Sequence, residues 1–227
     1  MEPQEHKVWN EEMARRYDPD AFITRSGFPI RAIESMRLAA TIRALDCGPD
    51  DAVLDLGCGP GNLLEKLRGV RIVGVDISAN LLDQARRRVA RRAHVELLAA
   101  DAQALPLAPS SFDRLVCSEL LEHVLDPSRV IAEIHRVCRP GARVVFTVPN
   151  EKLINLTKRL VLALGLRKLV AGDYAMSENM LNAWHLRQVS RRWLSEACAG
   201  RFRALACWSV PALLAPYHHV LALEVEK

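Results

Sequence analysis

Hydrophobic and polar positions in this chain follow two different spacings, and the switches between them mark out the elements. Ile33, Met36, Leu38, Ala39, Ile42 and Leu45 fall at helical spacing and predict a helix over Ile30–Leu45. Gly48-Pro49-Asp50 turns the chain. Val53-Leu54-Asp55-Leu56 then forms a short apolar run with one acid inside it, the pattern of a strand buried on both faces. Beyond it come a helix over Gly61–Leu67, a strand over Arg71–Asp76, a helix over Ser78–Arg92 with Ser78 as its N-cap, and a strand over His94–Ala99. A strand over Asp113–Ser118 and a helical turn over Glu119–Val124 follow. Next come a helix from Asp126 to Cys138 stopped by Arg139-Pro140-Gly141, and a strand over Ala142–Val148. This alternation implies a mostly parallel sheet with helices on both faces.

The two ends depart from that rhythm. Val8–Tyr17 has the pattern of a short amphipathic helix that Asp18-Pro19 stops. At the other end a helix over Ser190–Gly200 precedes strands at Arg201–Val210 and His219–Glu226, with Pro211–Pro216 between them. Strands joined without a helix pair antiparallel.

The turn Gly57-Cys58-Gly59-Pro60-Gly61 sits between the first strand and its helix, where open α/β sheets bind ligands. Without Cβ atoms a ligand can lie on the backbone there. Asp76 ends the next strand about 20 residues later, the spacing at which a carboxylate accepts both hydroxyls of a ribose, so the ligand carries a nucleoside. A dinucleotide site wants G-x-G-x-x-G and a helix amino terminus free for a diphosphate. Here the loop is G-x-G-x-G, and Asp55 places a carboxylate two residues ahead of it, which repels phosphate and suits an ammonium group. A nucleoside with a cationic, amino-acid-like tail fits, and S-adenosylmethionine is such a molecule.

The segments Val53–Asn62, Val73–Ser78, Asp101–Val124 and Arg139–Asn150 resemble, in order and spacing, the successive motifs of class I S-adenosylmethionine-dependent methyltransferases. The resemblance implies a Rossmann-like α/β fold: a seven-stranded, mostly parallel sheet with helices on both faces and an antiparallel last strand. It implies one domain over residues 1–227. Within it lie amino-terminal lid helices (1–47), the cofactor-binding core (52–150), a substrate-side insertion (151–190) and a carboxyl-terminal helix with strands (191–227). It further implies that Asp55, Gly57, Cys58, Gly59 and Gly61 surround the methionine part, Asp76 and Ile77 the ribose and adenine, and Asp101 and Ala102 the adenine edge. Asp101 also suits a helix N-cap. Ser118, Tyr17 and Arg37 complete the cofactor set: Tyr17 with Trp9 closing over the cofactor or packing on the sheet, Arg37 reaching its carboxylate or lying at the surface.

On the acceptor side, Glu119, Glu122 and His123 are spaced so that one helical turn presents all three to the site. They can position a base, bind a divalent ion that acidifies a substrate hydroxyl, or merely pack. The stretch Cys117–Ile131 is most similar to the O-methyltransferases of ubiquinone biosynthesis, where the family suggests the metal. Trp184 offers a stacking plane, His185 a second candidate base, and Tyr174 and Met176 candidate pocket walls. The expected activity is methyl transfer to a hydroxyl of a lipophilic or ring-bearing small molecule. The alternatives are transfer to nitrogen or carbon, or a non-catalytic S-adenosylmethionine-binding partner protein.

Composition narrows this little. With 227 residues, 50% of them hydrophobic, and a mean hydropathy of +0.01, a globular domain with a substantial core is expected. Met1–Asp20 is polar, unlike a secretory leader, and the six cysteines include no C-x-x-C pair. Reduced thiols and a cytoplasmic location are therefore expected. The net charge of +4 is mild. Arg86-Arg87-Arg88 and Arg91-Arg92 read as a solvated helix end rather than a nucleic-acid site, and no Asn-Pro-Pro-aromatic motif that grips a flipped base is present. Lys152–Val170 interleaves basic residues with leucines and contains no acid. Such a segment can lie on an anionic membrane, form an apolar substrate lid, or cover the sheet edge. Oligomeric state is left open.

Overall fold

A computed structural model of the chain describes residues 1–174, 184–211 and 216–227. Met176 lies outside them. The strands are Ala52–Leu56 (β1), Arg71–Asp76 (β2), Val95–Ala99 (β3), Phe112–Ser118 (β4), Cys138–Pro149 (β5), Phe202–Val210 (β6) and His218–Val225 (β7). They form one seven-stranded sheet in the order β3-β2-β1-β4-β5-β7-β6. β1 to β5 run parallel, and the last strand, β7, is antiparallel to both its neighbours, as expected. Among the described residues the helices are Pro3–Arg16 (α1), Pro19–Arg25 (α2), Phe28–Leu45 (α3), Asn62–Lys66 (α4), Ala79–Arg88 (α5), Pro127–Val137 (α6), Glu151–Ala163 (α7), Arg167–Ala171 (α8) and Arg191–Cys198 (α9).

β1 is buried at every position because helices cover both sides of the sheet. Its alternation sorts the core. Leu54 and Leu56 join Leu115, Phe146, Ile131, Ile134 and Leu194 beneath α6 and α9. Val53 faces the other way and joins Ile72, Val116, Leu45, Leu64 and Leu82 beneath α3, α4 and α5.

Four local departures from the sequence reading have physical causes. The chain does break at Asp18, but the Asp18 carboxylate accepts hydrogen bonds from Asp20 N (2.9 Å) and Ala21 N (3.3 Å) and so starts α2. Arg139-Pro140-Gly141 does not merely stop α6. It belongs to β5, with Gly141 at φ 74° where the register with β4 shifts between Phe112 and Arg114, the form of a bulge. α5 ends at Arg88, earlier than Arg92, because Arg92 turns back and donates to the carbonyls of Leu64 (2.8 Å), Glu65 (2.7 Å) and Leu67, which the end of α4 leaves open. Arg88 likewise donates to Pro60 O (2.5 Å) and Asp20, so only part of that arginine cluster is solvated. The basic segment is two helices, parted where Gly165 takes φ 68° at the end of α7.

All six cysteines are free. Among the described residues no helix is long and apolar enough to cross a membrane.

Candidate functional site

The strand order reverses between β1 and β4, and ligands of open α/β sheets bind in the crevice outside the carboxyl ends at such a switch. A cavity of about 530 Å³ opens there. It joins two chemically different walls.

The first wall is backbone. Gly57 N and Cys58 N donate to Val75 O at 2.8 and 2.9 Å, which folds the loop across the end of β2. Gly59 sits at φ 52°, and a Cβ built there would meet nothing within 4 Å, so its face is open to the cavity. Asp76 fixes the loop from the other side: its carboxylate accepts from Gly59 N (2.8 Å) and Ser78 N (2.9 Å). Burial raises the Asp76 pKa, and those N–H donors oppose the rise.

Asp55 is 3% exposed, and its Oδ2 has no hydrogen-bond partner. Burial, with the Asp76 charge second, pushes its pKa up to about 7. A buried carboxyl without a donor costs roughly 1–3 kcal/mol, which a cationic ligand group would offset. The amino end of S-adenosylmethionine fits that atom, and its ribose hydroxyls fit Asp76.

α1 covers this wall. Glu11 accepts from Ser78 Oγ (2.7 Å) and Asn80 N (3.2 Å), tying α1 to the start of α5. Tyr17, at its end, stacks on Trp184 with ring centroids 6.0 Å apart. Trp9 instead stacks on His6 and does not line the cavity.

The second wall is built of side chains. Glu119 takes φ 51°, a left-handed backbone that costs a non-glycine residue about 1–2 kcal/mol. Its carboxylate accepts from Thr147 Oγ1 (2.8 Å) and lies 3.3 Å from His218. His218 is also 3.4 Å from Glu34, which pairs with Arg37 at 2.6 Å. Arg37 in turn donates to Ser118 Oγ (2.7 Å). Burial opposes every charge in this chain, but the partners prevail. His218 is raised to about 9 by Glu119 and Glu34. Glu34 is lowered to about 2 by Arg37 and His218, and Glu119 to about 2 by His218 and Arg37.

Beside that chain lies a separate corner. His123 Nδ1 donates to Trp184 O (3.1 Å), and burial with His185 nearby pushes its pKa down to about 3, so the ring is neutral. His185 Nδ1 bonds the Glu151 carboxylate at 2.8 Å, and the two imidazole centroids are 4.9 Å apart. Glu122 is buried, its Oε2 unpartnered. Burial and then the Glu119 charge push its pKa well up.

Of the residues expected from the sequence, Asp55, Gly57, Cys58, Gly59, Asp76, Ile77, Asp101, Ala102, Ser118, Tyr17, Arg37, Tyr174, Glu119, Glu122, His123, Trp184 and His185 all line the one cavity. Gly61 stands behind the loop, where a Cβ would press Ala85 at 3.2 Å. Asp101 both lines the cavity and accepts from Gln103 N (2.9 Å). Burial raises the Cys58 thiol well above its usual range. Glu11, Glu34, Glu151 and His218 also belong to the site and stand in no sequence motif. Only Glu34 had a signal, three residues before Arg37 on a helix face.

Residues 54–146 match the family model described as a methyltransferase domain. A demethylmenaquinone methyltransferase of Clavibacter sepedonicus is 32% identical over 70% of this chain and 69% of that one. A ubiquinone biosynthesis O-methyltransferase of Idiomarina loihiensis is 30% identical over 67% of this chain and 63% of that one. The first curated relatives are matched over 32% to 69% of their own length. Among solved structures, the N-methyltransferase NodS of Bradyrhizobium japonicum, bound to S-adenosylhomocysteine, superposes with a TM-score of 0.64 over 98% of both chains at 19% identity, a likeness of fold. The chain belongs to the S-adenosylmethionine-dependent methyltransferase family.

Proposed function

We propose that this protein moves the sulfonium methyl of S-adenosylmethionine to a hydroxyl of a lipophilic, ring-bearing small molecule. One observation carries the reading: a single cavity runs from the unpartnered Asp55 carboxylate to the Glu122–His123–His185 corner, between walls that include Phe22, Ile30, Ile33, Ile154, Val161 and Tyr174. The first end suits the cofactor's ammonium, the apolar walls suit a ring with a hydrocarbon tail, and in the corner His185, backed by the Glu151 carboxylate, takes the proton. In the step itself the acceptor oxygen attacks the methyl carbon in line, the carbon–sulfur bond breaks to leave neutral S-adenosylhomocysteine, and the hydroxyl proton leaves toward the corner. Holding oxygen, carbon and sulfur in line supplies several kcal/mol of the barrier. The names of the quinone-pathway relatives support this substrate class.

Access from a lipid surface fits the same reading. Leu156 and Leu160 on α7, Leu164 just past its end and Leu169 on α8 are exposed, Leu164 and Leu169 each at 68%. Lys152, Arg159, Arg167 and Lys168 share those helices. An anionic bilayer complements both the charge and the leucines.

The test is transfer of labelled methyl to a panel of alkylated phenols and quinols, short catechols and amines, with and without vesicles rich in anionic lipid. Transfer to the alkylated hydroxyl compounds, faster with vesicles, is expected. Methylation of amines alone, or none despite tight S-adenosylhomocysteine binding, overturns the acceptor reading. Unchanged sedimentation with vesicles overturns the membrane contact.

A further inference from the structure

A closed loop of side chains holds the end of β4. Arg37 donates from Nη1 to Ser118 Oγ (2.7 Å). Thr147 Oγ1 gives its one proton to Glu119 Oε1 (2.8 Å), so the 2.9 Å contact between the two hydroxyls has Ser118 as its donor. His218 stands between the two carboxylates, with Nδ1 3.3 Å from Glu119 Oε2 and Nε2 3.4 Å from Glu34 Oε1. Glu34 Oε2 accepts from Arg37 at 2.6 Å and completes the circuit. An ionised carboxylate only accepts, so both His218 nitrogens carry protons and neither can take one from an acceptor.

What the loop grips is the turn that separates the two walls. Leu120 packs on the cofactor side, where a Cβ at Gly57 would press its side chain at 3.0 Å. On the acceptor side, His123 N donates to Leu120 O (2.9 Å) and Leu186 N to Glu122 O (2.8 Å). The same turn therefore carries His123 and anchors the segment that holds His185. Glu119 starts it, fastened by its N–H to Thr147 O (3.2 Å) and by its carboxylate to Thr147 and His218. We infer that His218 is a positioning residue for methyl transfer: acting through Glu119, it fixes where the acceptor corner stands relative to the cofactor loop. In-line displacement is sensitive to such placement, and a shift of about 1 Å can cost about a hundredfold in rate. The inference rests on methyl transfer itself and on no particular accepting atom.

Two double variants of the full-length protein separate positioning from stability. Both carry Glu119→Gln; one adds His218→Leu and the other His218→Gln. Each removes one charge of either sign and leaves Glu34 paired with Arg37, so neither strands a buried charge. Leucine and glutamine are close in size, but only the amide can still bond its neighbours. Turnover is measured with whichever compound of the hydroxyl and amine panel the wild type methylates. The His218→Leu form should lose about a hundredfold in kcat and the His218→Gln form less than about tenfold. KM for S-adenosylmethionine and affinity for S-adenosylhomocysteine should change less than about threefold in both. Hydrogen exchange needs no acceptor: the amides of His123 and Leu186 should exchange at least about tenfold faster in the His218→Leu form than in the His218→Gln form, with those of Gly57 and Cys58 unchanged. Equal turnover or equal exchange in the two forms, or cofactor affinity falling in step with kcat, overturns the positioning role. A wild type that methylates nothing in the panel while the exchange difference is present overturns the acceptor reading and supports the positioning role.

Discussion

The two walls of the cavity are built by different means. The cofactor wall is almost local: Gly57 N, Cys58 N and Gly59 N all bond within the β1–β2 unit. The acceptor wall joins Glu34 of α3, Glu119 after β4, Glu151 of α7, His185 and His218 of β7, residues from nearly the whole length of the chain. Backbone geometry demands particular residues at particular spacings and so leaves a motif. A network of side chains demands only that charges meet, and many sequences satisfy that.

The contrast predicts that the acceptor wall carries more of the stability and the cofactor wall more of the affinity. His218→Ala should leave Glu34 and Glu119 buried without their shared cation. Breaking one partner of such a buried group costs about 3–5 kcal/mol, seen as a lowered denaturation midpoint, while S-adenosylhomocysteine affinity changes less than about threefold. The pH dependence follows from the sign. His218 is raised from 6.5 to about 9, so its contribution is complete below pH 6.5 and is lost as pH climbs through about 9. A wild-type midpoint that stays flat from pH 6.5 to 9.5 would refute the pairing.

Asp76→Ala tests the opposite wall. It removes the acceptor of Gly59 N and Ser78 N together with the carboxylate proposed to hold the ribose hydroxyls. Hydrogen bonds to a charged group contribute about 1.5–3 kcal/mol each, so calorimetry should show at least about a hundredfold weaker cofactor binding. Stability should change little by comparison, because burial works against that charge.

Asp55 sharpens the comparison through pH. Its folded pKa of about 7 exceeds the ordinary 3.8. Between those values the folded protein keeps a proton that the unfolded chain has lost, so the free protein loses stability as pH rises through that window. An ammonium ligand favours the ionised form. Cofactor affinity should therefore climb about tenfold per unit as pH rises toward 7 and level off above it. Asp55→Asn should flatten that profile and weaken binding at pH 8 by about tenfold. A wild-type profile already flat from pH 5.5 to 8 would mean that the carboxylate does not meet the cation.

The sequence made one wall legible for the same reason. Asp55, Gly59 and Asp76 are tied to a strand, a turn and a strand within 22 residues, so periodicity and loop chemistry locate them. The parallel core was equally open, because buried strands read as apolar runs. His218 and Glu151 gave no such signal, since each acquires its partner only when β7 enters the sheet between β5 and β6 and when α7 folds against the segment before α9. Glu119, Glu122 and His123 were visible as a cluster, but the spacing of one helical turn did not anticipate the left-handed Glu119, which turns its carboxylate to Thr147 and His218.

The smallest effect is expected where the lid meets the cofactor wall. Glu11 is the one residue of α1 whose carboxylate bonds both the Ser78 hydroxyl and the Asn80 N–H. The amino end of α5 favours the negative charge there. Glu11→Gln keeps the size and one acceptor but loses the charge, a change of about 0.5–1 kcal/mol at a half-exposed helix end. That corresponds to about threefold weaker S-adenosylhomocysteine binding. Hydrogen exchange across α1 should speed up by a similar factor in the free protein, while exchange in β1 and β4 stays unchanged. Faster exchange in the strands as well would show that α1 belongs to the cooperative core and is not a cover over one wall of the cavity.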